Sequence, residues 1–297
     1  MRGNVLPART FTHSHFHTLT LILLPMIQRI SILGCGWLGL PLGAALAQKG
    51  YEVKGSTTRP EKLEQIREQG IEPYLIKVGD AVEGPEKESF FDAGLLVLNI
   101  PPGGRHNPEV EEQYPQKVKA IMEHIHSGAI EYLIFVSSTS VYGDENREVT
   151  EADKLSPATP SARALVVIER YLALLKRPQT TVLRMGGLVG GGRQPGRFLA
   201  GKKDVGNGEA PVNLVHLDDC IGVIEAVVKQ NAWDETFNVC ADQHPTRAAF
   251  YTAQAKKQGF EPPTFRASDQ LAYKIVSNEK LKKALGYAFK HPDPMGF

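Results

Sequence analysis

The sequence is poor in features that would tie it to an oxidising compartment, a zinc ribbon or a nucleic acid. Its 297 residues include only three cysteines, Cys35, Cys220 and Cys240, and no CxxC pair. This scarcity argues against a disulfide framework, so a reducing cytoplasm is the expected location. The formal net charge is +1 and no long basic run occurs. A nucleic-acid partner would need a basic face, and none is expected.

Long hydrophobic runs are missing as well. The apolar stretch at residues 19–27 is too short to cross a bilayer, and no small-residue cleavage site follows it. We expect residues 1–25 to be a disordered tail, the folded chain to begin at Met26, and no membrane partner. His13, His15 and His17 alternate in this tail. We interpret them as part of a flexible segment, with no metal site, although an extended chain could chelate a metal there.

The strongest signal present is a glycine motif between an apolar strand and an apolar helix. Residues 29–33 have the composition of a buried parallel strand, and residues 34–39 then follow the GxGxxG pattern. In such a motif the glycines permit a tight turn, a close approach to a pyrophosphate and close helix packing. The alternative is a tight turn without a ligand, but the context favours a dinucleotide site. The predicted contacts are Gly34, Cys35, Gly36, Trp37, Leu38 and Gly39.

The end of the second predicted strand distinguishes the two nicotinamide cofactors. NAD-binding proteins usually carry an acidic residue at this point, which holds the ribose hydroxyls. Residues 55–60 contain no carboxylate and instead offer Thr57, Thr58 and Arg59. A guanidinium suits a 2′-phosphate because it can form bidentate, charge-assisted hydrogen bonds. The pattern favours NADP over NAD; the alternative for Arg59 is a solvated side chain at a helix start.

Strands and helices alternate along the first 185 residues, which predicts an α/β fold with a Rossmann-like, doubly wound parallel sheet. The third strand, residues 72–80, would place Asp80 near the adenine. The fourth would leave the sheet through Pro101, beside the cofactor. We predict an NAD(P)-binding domain at 26–185. Residues 186–297 would form a smaller, partly interleaved substrate or lid region, because residues 235–240 can add a strand to the sheet.

Four further motifs occur in a characteristic order: VSSTSVYG, TTVLRMGG, PVNLVHLDDC and KIVSNEKLKKALGY, beginning at residues 136, 180, 211 and 274. With them, residues 28–290 resemble the extended short-chain dehydrogenase/reductase superfamily, in its NAD(P)-dependent epimerase/dehydratase branch. The segments GWLG, GSTTR and IPPGG are similar to an atypical, YeeZ-like subgroup. The resemblance implies a small-molecule substrate and a possible homodimer packed through helices of the sheet.

The resemblance also implies a mechanism. In that superfamily a serine or threonine polarises the substrate carbonyl, while a tyrosine transfers the proton and the nicotinamide exchanges a hydride. A lysine four residues after the tyrosine lowers the pKa of its phenol. Ser138 matches the serine position and is the predicted catalytic residue. The alternative for Ser138 is a hydroxyl that caps the turn at the end of the strand.

The tyrosine–lysine pair itself is absent. If Glu169 matches the acidic residue late in the family's helix, Ser161 and Leu165 occupy the two positions. None of the nine tyrosines has a lysine four residues later. One hypothesis is an oxidoreductase or epimerase-like enzyme that uses Ser138 and a substitute proton donor, for which His106 and Arg163 are candidates. The other is a non-catalytic NADP-binding sensor or interaction protein on the same fold.

The residues expected to face a substrate also depart from the sugar-nucleotide epimerases. The resemblance would place an aromatic residue and an asparagine where Met185 and Gly187 stand. The following glycine-rich segment carries Arg193 and Arg197, which form either an anion pocket or a flexible, solvated loop. His216 and Asp218 are interpreted as structural residues before a helix.

Overall fold

A computed structural model describes residues 27–103, 109–267 and 271–297. The predicted disordered tail and the candidate proton donor His106 lie outside the described residues.

A seven-stranded parallel sheet forms the centre of the molecule. Its strands are β1 (Arg29–Leu33), β2 (Glu52–Thr57), β3 (Glu72–Leu75), β4 (Leu95–Leu98), β5 (Tyr132–Ser138), β6 (Gln179–Met185) and β7 (Thr236–Val239). Their order across the sheet is β7-β6-β5-β4-β1-β2-β3, and every pair is parallel. The strand order reverses between β1 and β4, which is where ligands bind in open sheets of this kind. The predicted Rossmann-like fold class is confirmed.

Helices cover both faces of the sheet. The α-helices of the described ranges are α1 (Gly39–Gln48), α2 (Leu63–Arg67), α3 (Lys87–Phe91), α4 (Val110–Ser127), α5 (Pro160–Ala173), α6 (Leu217–Gln230), α7 (Arg247–Lys257) and α8 (Glu279–Leu285). One core lies under α3, α4 and α5, and a second lies under α1, α6 and α8.

The alternation of side chains along the strands explains why two cores exist. In β5, Leu133 and Phe135 pack into the first core, whereas Tyr132 and Ile134 pack into the second. Successive side chains of a strand point to opposite faces. A strand covered by helices on both faces is therefore apolar on both faces, as residues 132–136 of β5 are.

The third strand is shorter than predicted, and this changes the position of Asp80. The parallel strand β3 ends at Leu75, and Lys77–Val78 then pairs antiparallel with Val82–Glu83. The prediction of one strand over residues 72–80 was wrong because the chain reverses at Gly79, whose amide donates to the Ala81 carbonyl. Asp80 lies exposed in this hairpin turn.

The chain after Met185 returns to the central sheet. β7 pairs with β6, with Thr236 opposite Val182, which confirms the strand predicted within residues 235–240. Two short parallel pairs also connect the later part of the chain to the earlier part: Gly187–Val189 with Leu214–His216, and Lys274–Val276 with Arg147–Val149. Among the described residues, no helix combines the length and the apolar character that a membrane span requires.

Candidate functional site

The glycine turn lies at the carboxyl end of β1, between β2 and β4. Gly34 has φ +107°, a conformation that side chains rarely adopt, and a Cβ there would lie 2.9 Å from the Asn99 carbonyl oxygen. The Gly34 amide donates to Ser56 Oγ at 2.9 Å, and Asn99 Nδ2 donates to the Gly34 carbonyl at 3.0 Å. Residues of both neighbouring strands therefore hold the turn in place.

The other two glycines of the motif have different roles. A Cβ on Gly39 would lie 2.2 Å from the Gly34 carbonyl oxygen, so α1 can begin directly against the turn only with glycine there. Gly36 is exposed, and nothing lies within 4 Å of the position its Cβ would take. The amides of Trp37 and Leu38 have no acceptor in the part of the chain that the structure describes. Unpaired amides and the positive end of the α1 dipole suit a phosphate anion.

Cys35 contributes to this turn through its backbone. Its amide donates to the Ser56 carbonyl at 2.8 Å. Its side chain is buried against Gly55, where an added Cβ would lie 2.6 Å from Cys35 Sγ. Burial raises the pKa of the Cys35 thiol to about 12, so the thiol is neutral at physiological pH and serves as a packing group.

The residues predicted to read the adenosine end lie along the end of β2 and beyond. Thr57 is buried, and its Oγ1 accepts a hydrogen bond from the Arg59 amide at 3.2 Å. Thr58 and Arg59 are exposed. The exposed Pro101 follows β4. The ends of β1, β2 and β4 meet here, whereas the hairpin turn with Asp80 lies beyond β3.

Ser138 is the last residue of β5 and stands opposite Met185 of β6. Its Oγ accepts a hydrogen bond from the Ser140 amide at 3.1 Å and so caps the short 3-10 turn Thr139–Val141. The capping role considered as an alternative is therefore present. A hydroxyl that accepts one bond can still donate its own proton, so capping does not conflict with binding a carbonyl.

A buried polar network lies behind Ser138 and was not anticipated from the sequence. Ser137 donates to Glu169 at 2.5 Å, and Glu169 forms an ion pair with Arg184 at 2.7 Å. Arg184 Nη1 donates to the Tyr142 hydroxyl at 2.6 Å, which in turn donates to Asn238 Oδ1 at 2.9 Å. The available signal was Arg184 between the apolar Leu183 and Met185 of β6, since a charged side chain at such a position is buried only when it is paired.

The positions expected to hold the tyrosine–lysine pair carry no substitute acid. Ser161 Oγ lies 3.3 Å from Thr159 Oγ1, and Leu165 is buried in the core. Tyr142 is held inside the polar network, and its burial raises the pKa of its phenol. Arg163 pairs with Glu111 at 2.8 Å, so the structure does not support it as the proton donor.

His216 directly precedes α6 and has a structural role there. Its Nδ1 accepts a hydrogen bond from the Asp218 amide at 3.3 Å and caps the helix. His291 Nε2 lies 3.0 Å from Asp218 Oδ2. His216, Asp218 and His291 each have one atom capable of binding a metal, and these three atoms lie within 4.8 Å of one another. The buried Asp219 anchors the C-terminal segment by accepting bonds from the Tyr287 hydroxyl and the His291 amide.

A polar cavity of about 280 Å³ lies between the loop after β5 and the later part of the chain. Asp144 and Lys274 form an ion pair in its wall at 2.7 Å. Arg247, at the start of α7, also lines it, and its buried Nε has no partner within the described residues. Asn213, another lining residue, accepts the Gly187 amide on its carbonyl, which places this cavity close to the end of β6.

These features define the class of protein. Residues 30–240 match the NAD dependent epimerase/dehydratase family, and the chain belongs to that family. The chain is 38% identical to Protein YeeZ of Escherichia coli strain K12 over 272 residues, which are 91% of this chain and 98% of YeeZ. The expected family and subgroup are therefore confirmed.

Solved structures share the fold at lower sequence identity. A functionally unknown conserved protein from Silicibacter pomeroyi superposes with a TM-score of 0.73 at 24% identity, covering 91% of this chain and 96% of the other. The UDP-glucose-4-epimerase from Stenotrophomonas maltophila, solved with bound NAD and formylated UDP-arabinopyranose, gives a TM-score of 0.75 at 17% identity. That match covers 90% of this chain and 95% of the epimerase.

Proposed function

We propose that the protein binds NADP(H) and acts as an oxidoreductase or epimerase-like enzyme on a small carbonyl or hydroxyl compound. The observation that carries this proposal is the clear space at Gly36, between a turn that requires glycine at Gly34 and the first turn of α1. A Cβ at position 36 would project into that space. This is the fit expected of a backbone that a diphosphate approaches closely.

The remaining contacts follow from the ends of the strands. The amides of Trp37 and Leu38 would hold the diphosphate, while Thr57, Thr58 and Arg59 would face the adenosine ribose. Residues 26–185 would form the cofactor side of the crevice. Residues 186–297 would form the substrate side, and their polar cavity with the unpartnered Arg247 Nε supports this division.

Ser138 would bind the reacting oxygen of the substrate. When bound, the nicotinamide supplies or accepts a hydride. The hydroxyl of Ser138 already accepts from the Ser140 amide, so its own proton is free to donate to a carbonyl oxygen. Among the family's catalytic positions considered above, Ser138 is the one that this sequence fills with a matching residue.

A second candidate function is a non-catalytic NADP sensor. The observation that favours it is the environment of Tyr142, whose hydroxyl is fixed between Arg184 and Asn238 and which has Asn146 rather than lysine four residues later. Binding alone requires only the glycine turn and the ends of β2 and β4.

Hydride transfer distinguishes the enzyme from the sensor, because only the enzyme catalyses it. We expect the rate of this transfer to fall sharply in Ser138→Ala. Purified protein with deuterated NADPH would be incubated with a mixture of small aldehydes and ketones, and deuterium in the products would be measured by mass spectrometry. Removing the polarising hydroxyl should lower the rate by about 100-fold or more, with little change in NADPH affinity. Ser140→Ala is the matched control, because it removes a nearby exposed hydroxyl and keeps the Ser140 amide that donates to Ser138 Oγ. Transfer that is undetectable in the wild type, with intact NADPH binding, would favour the sensor.

Cofactor preference provides a second test. We expect wild-type protein to bind NADPH more tightly than NADH. In Arg59→Ala the affinity for NADPH should fall by about 10- to 100-fold and the preference should disappear, because a charge-assisted contact to the 2′-phosphate is removed. The binding of NADH should change little. Intrinsic fluorescence can follow both titrations, with Trp37 in the glycine turn as the reporter. Lys62→Ala removes a nearby cation and serves as control. If Arg59→Ala still prefers NADPH over NADH, a group other than Arg59 binds the 2′-phosphate.

A further inference from the structure

The segment after β6 contacts the glycine turn through Trp37. Trp37 Nε1 donates to the Gly190 carbonyl at 2.9 Å, and the Arg193 amide donates to the same oxygen at 3.0 Å. Residues 190–193 thus form a closed turn, which we call the 190–193 turn, seated on a side chain of the GxGxxG motif. Although 153 positions separate Trp37 from Gly190 in the sequence, the structure joins these two glycine-rich segments.

The backbone conformation favours glycine at the first three positions of the 190–193 turn. Gly190, Gly191 and Gly192 have φ values of +86°, +53° and +85°. A Cβ on Gly190 would lie 2.3 Å from His216 Nε2, and one on Gly191 would lie 2.3 Å from Leu217 Cδ2. The backbone therefore presses against the start of α6 in a conformation that favours glycine. The position of Arg193 follows from this packing, which argues against the freely solvated loop considered from the sequence.

The Arg193 guanidinium lies over the Trp37 indole, with Cζ 4.3 Å from the ring centroid. Partial burial lowers the pKa of this group from its ordinary value, and no carboxylate partner opposes the effect among the residues that the structure describes. Arginine remains protonated at physiological pH in any case. A positive charge is therefore held against the side chain of Trp37, a residue of the GxGxxG motif whose own amide has no acceptor among the described residues.

Arg197 does not share this position. Its Cζ lies 5.9 Å from the centroid of Phe260, so the two arginines of the glycine-rich segment stack on different aromatic rings. The anion pocket that the sequence suggested for the pair is thus divided, and Arg193 alone contacts the GxGxxG motif.

We propose that Arg193, positioned by Trp37 and the 190–193 turn, is the side-chain cation that binds the diphosphate of the dinucleotide. This inference rests on the proposed function, since it assigns a ligand-binding residue to the same cofactor site. The turn amides and the α1 dipole supply partial positive charge. A guanidinium adds a full charge and bidentate hydrogen bonds to phosphate oxygens.

Calorimetric titration of the full chain tests the assignment with two probes, NADPH and inorganic pyrophosphate. We expect Arg193→Met to weaken the binding of both by about 10- to 100-fold. Arg193→Lys should recover part of the loss because it restores the charge without the planar fork. Arg197→Met is the matched control and should bind both probes like wild type. The NADPH-to-NADH preference should be retained in Arg193→Met, because that variant leaves the adenosine end intact.

Two failures can be told apart. Suppose that wild type binds NADPH and that Arg193→Met binds NADPH and pyrophosphate as tightly as wild type does. The assignment of Arg193 is then overturned, while the proposed function stands. The same conclusion follows if Arg193→Met only lowers the thermal midpoint of the ligand-free protein. If wild type binds neither NADPH nor NADH, the proposed function fails, and the inference fails with it.

Discussion

Replacing Gly36 with valine is expected to eliminate measurable dinucleotide binding and to leave the fold intact. Nothing lies within 4 Å of the Cβ that the substitution adds, and Gly36 does not have a positive φ, so the free protein has room for the new side chain. The same side chain fills the space proposed for the diphosphate. We expect NADPH affinity to fall by at least about 100-fold, equivalent to about 2.7 kcal/mol, in a calorimetric titration, with an unchanged thermal midpoint.

Two further glycines provide the comparison. Gly94→Val, whose added Cβ would lie 3.9 Å from the Arg29 carbonyl oxygen, should retain both stability and binding, since Gly94 lies at the opposite end of the sheet. Gly34→Ala should lower the free energy of unfolding by about 1–3 kcal/mol because of its positive φ and its close contact with Asn99. If Gly36→Val binds NADPH as tightly as Gly94→Val does, the diphosphate does not occupy the glycine turn.

The second large effect is expected from the buried ion pair. Glu169→Leu should lower the free energy of unfolding by about 3–5 kcal/mol, because Arg184 then remains charged and unpaired in the core. The side chains of Arg184 and Glu169 are only 7% and 6% exposed, so the charge left on Arg184 would be poorly solvated. Equilibrium unfolding in urea, followed by circular dichroism, measures the change.

Removing the partner charge as well should restore much of this stability. The double variant Glu169→Leu with Arg184→Met leaves no unpaired charge, so it should be more stable than Glu169→Leu alone. Glu111→Leu is the matched surface control; it breaks an ion pair with Arg163 whose side chains are 41% and 39% exposed, and it should cost less than about 1 kcal/mol. Equal losses for Glu169→Leu and Glu111→Leu would contradict the ascribed role of burial.

The parts of the fold that could be predicted from the sequence depend on local patterns. The strand at residues 29–33, the glycine spacing and the apolar helix after it lie within about twenty consecutive residues, so chain geometry alone constrains them. The short strand β7 was also identifiable, because apolar and polar residues alternate along residues 236–239, a pattern typical of a strand.

One strand prediction failed and one buried bond was missed, and both depend on which other residues of the chain supply the partner. Whether residues 77–80 extend β3 or turn back depends on the availability of Val82–Glu83 as an antiparallel partner. The bond between Tyr142 and Asn238 spans 96 positions of sequence, and no local pattern indicates it. Tyr142 belongs to the VSSTSVYG segment on which the resemblance rests, and the structure places its ring in the core.

The return of the chain to form β7 affects any attempt to divide this protein. A fragment that ends at Met185 would leave β6 as the outer strand, with its amide and carbonyl groups free to pair with other chains and cause aggregation. It would also lack Asn238, which bonds the Tyr142 hydroxyl. A chimaera that exchanges residues 186–297 between relatives therefore also replaces the edge strand of the sheet. The side chains of the new β7 must then pack against those of the retained β6.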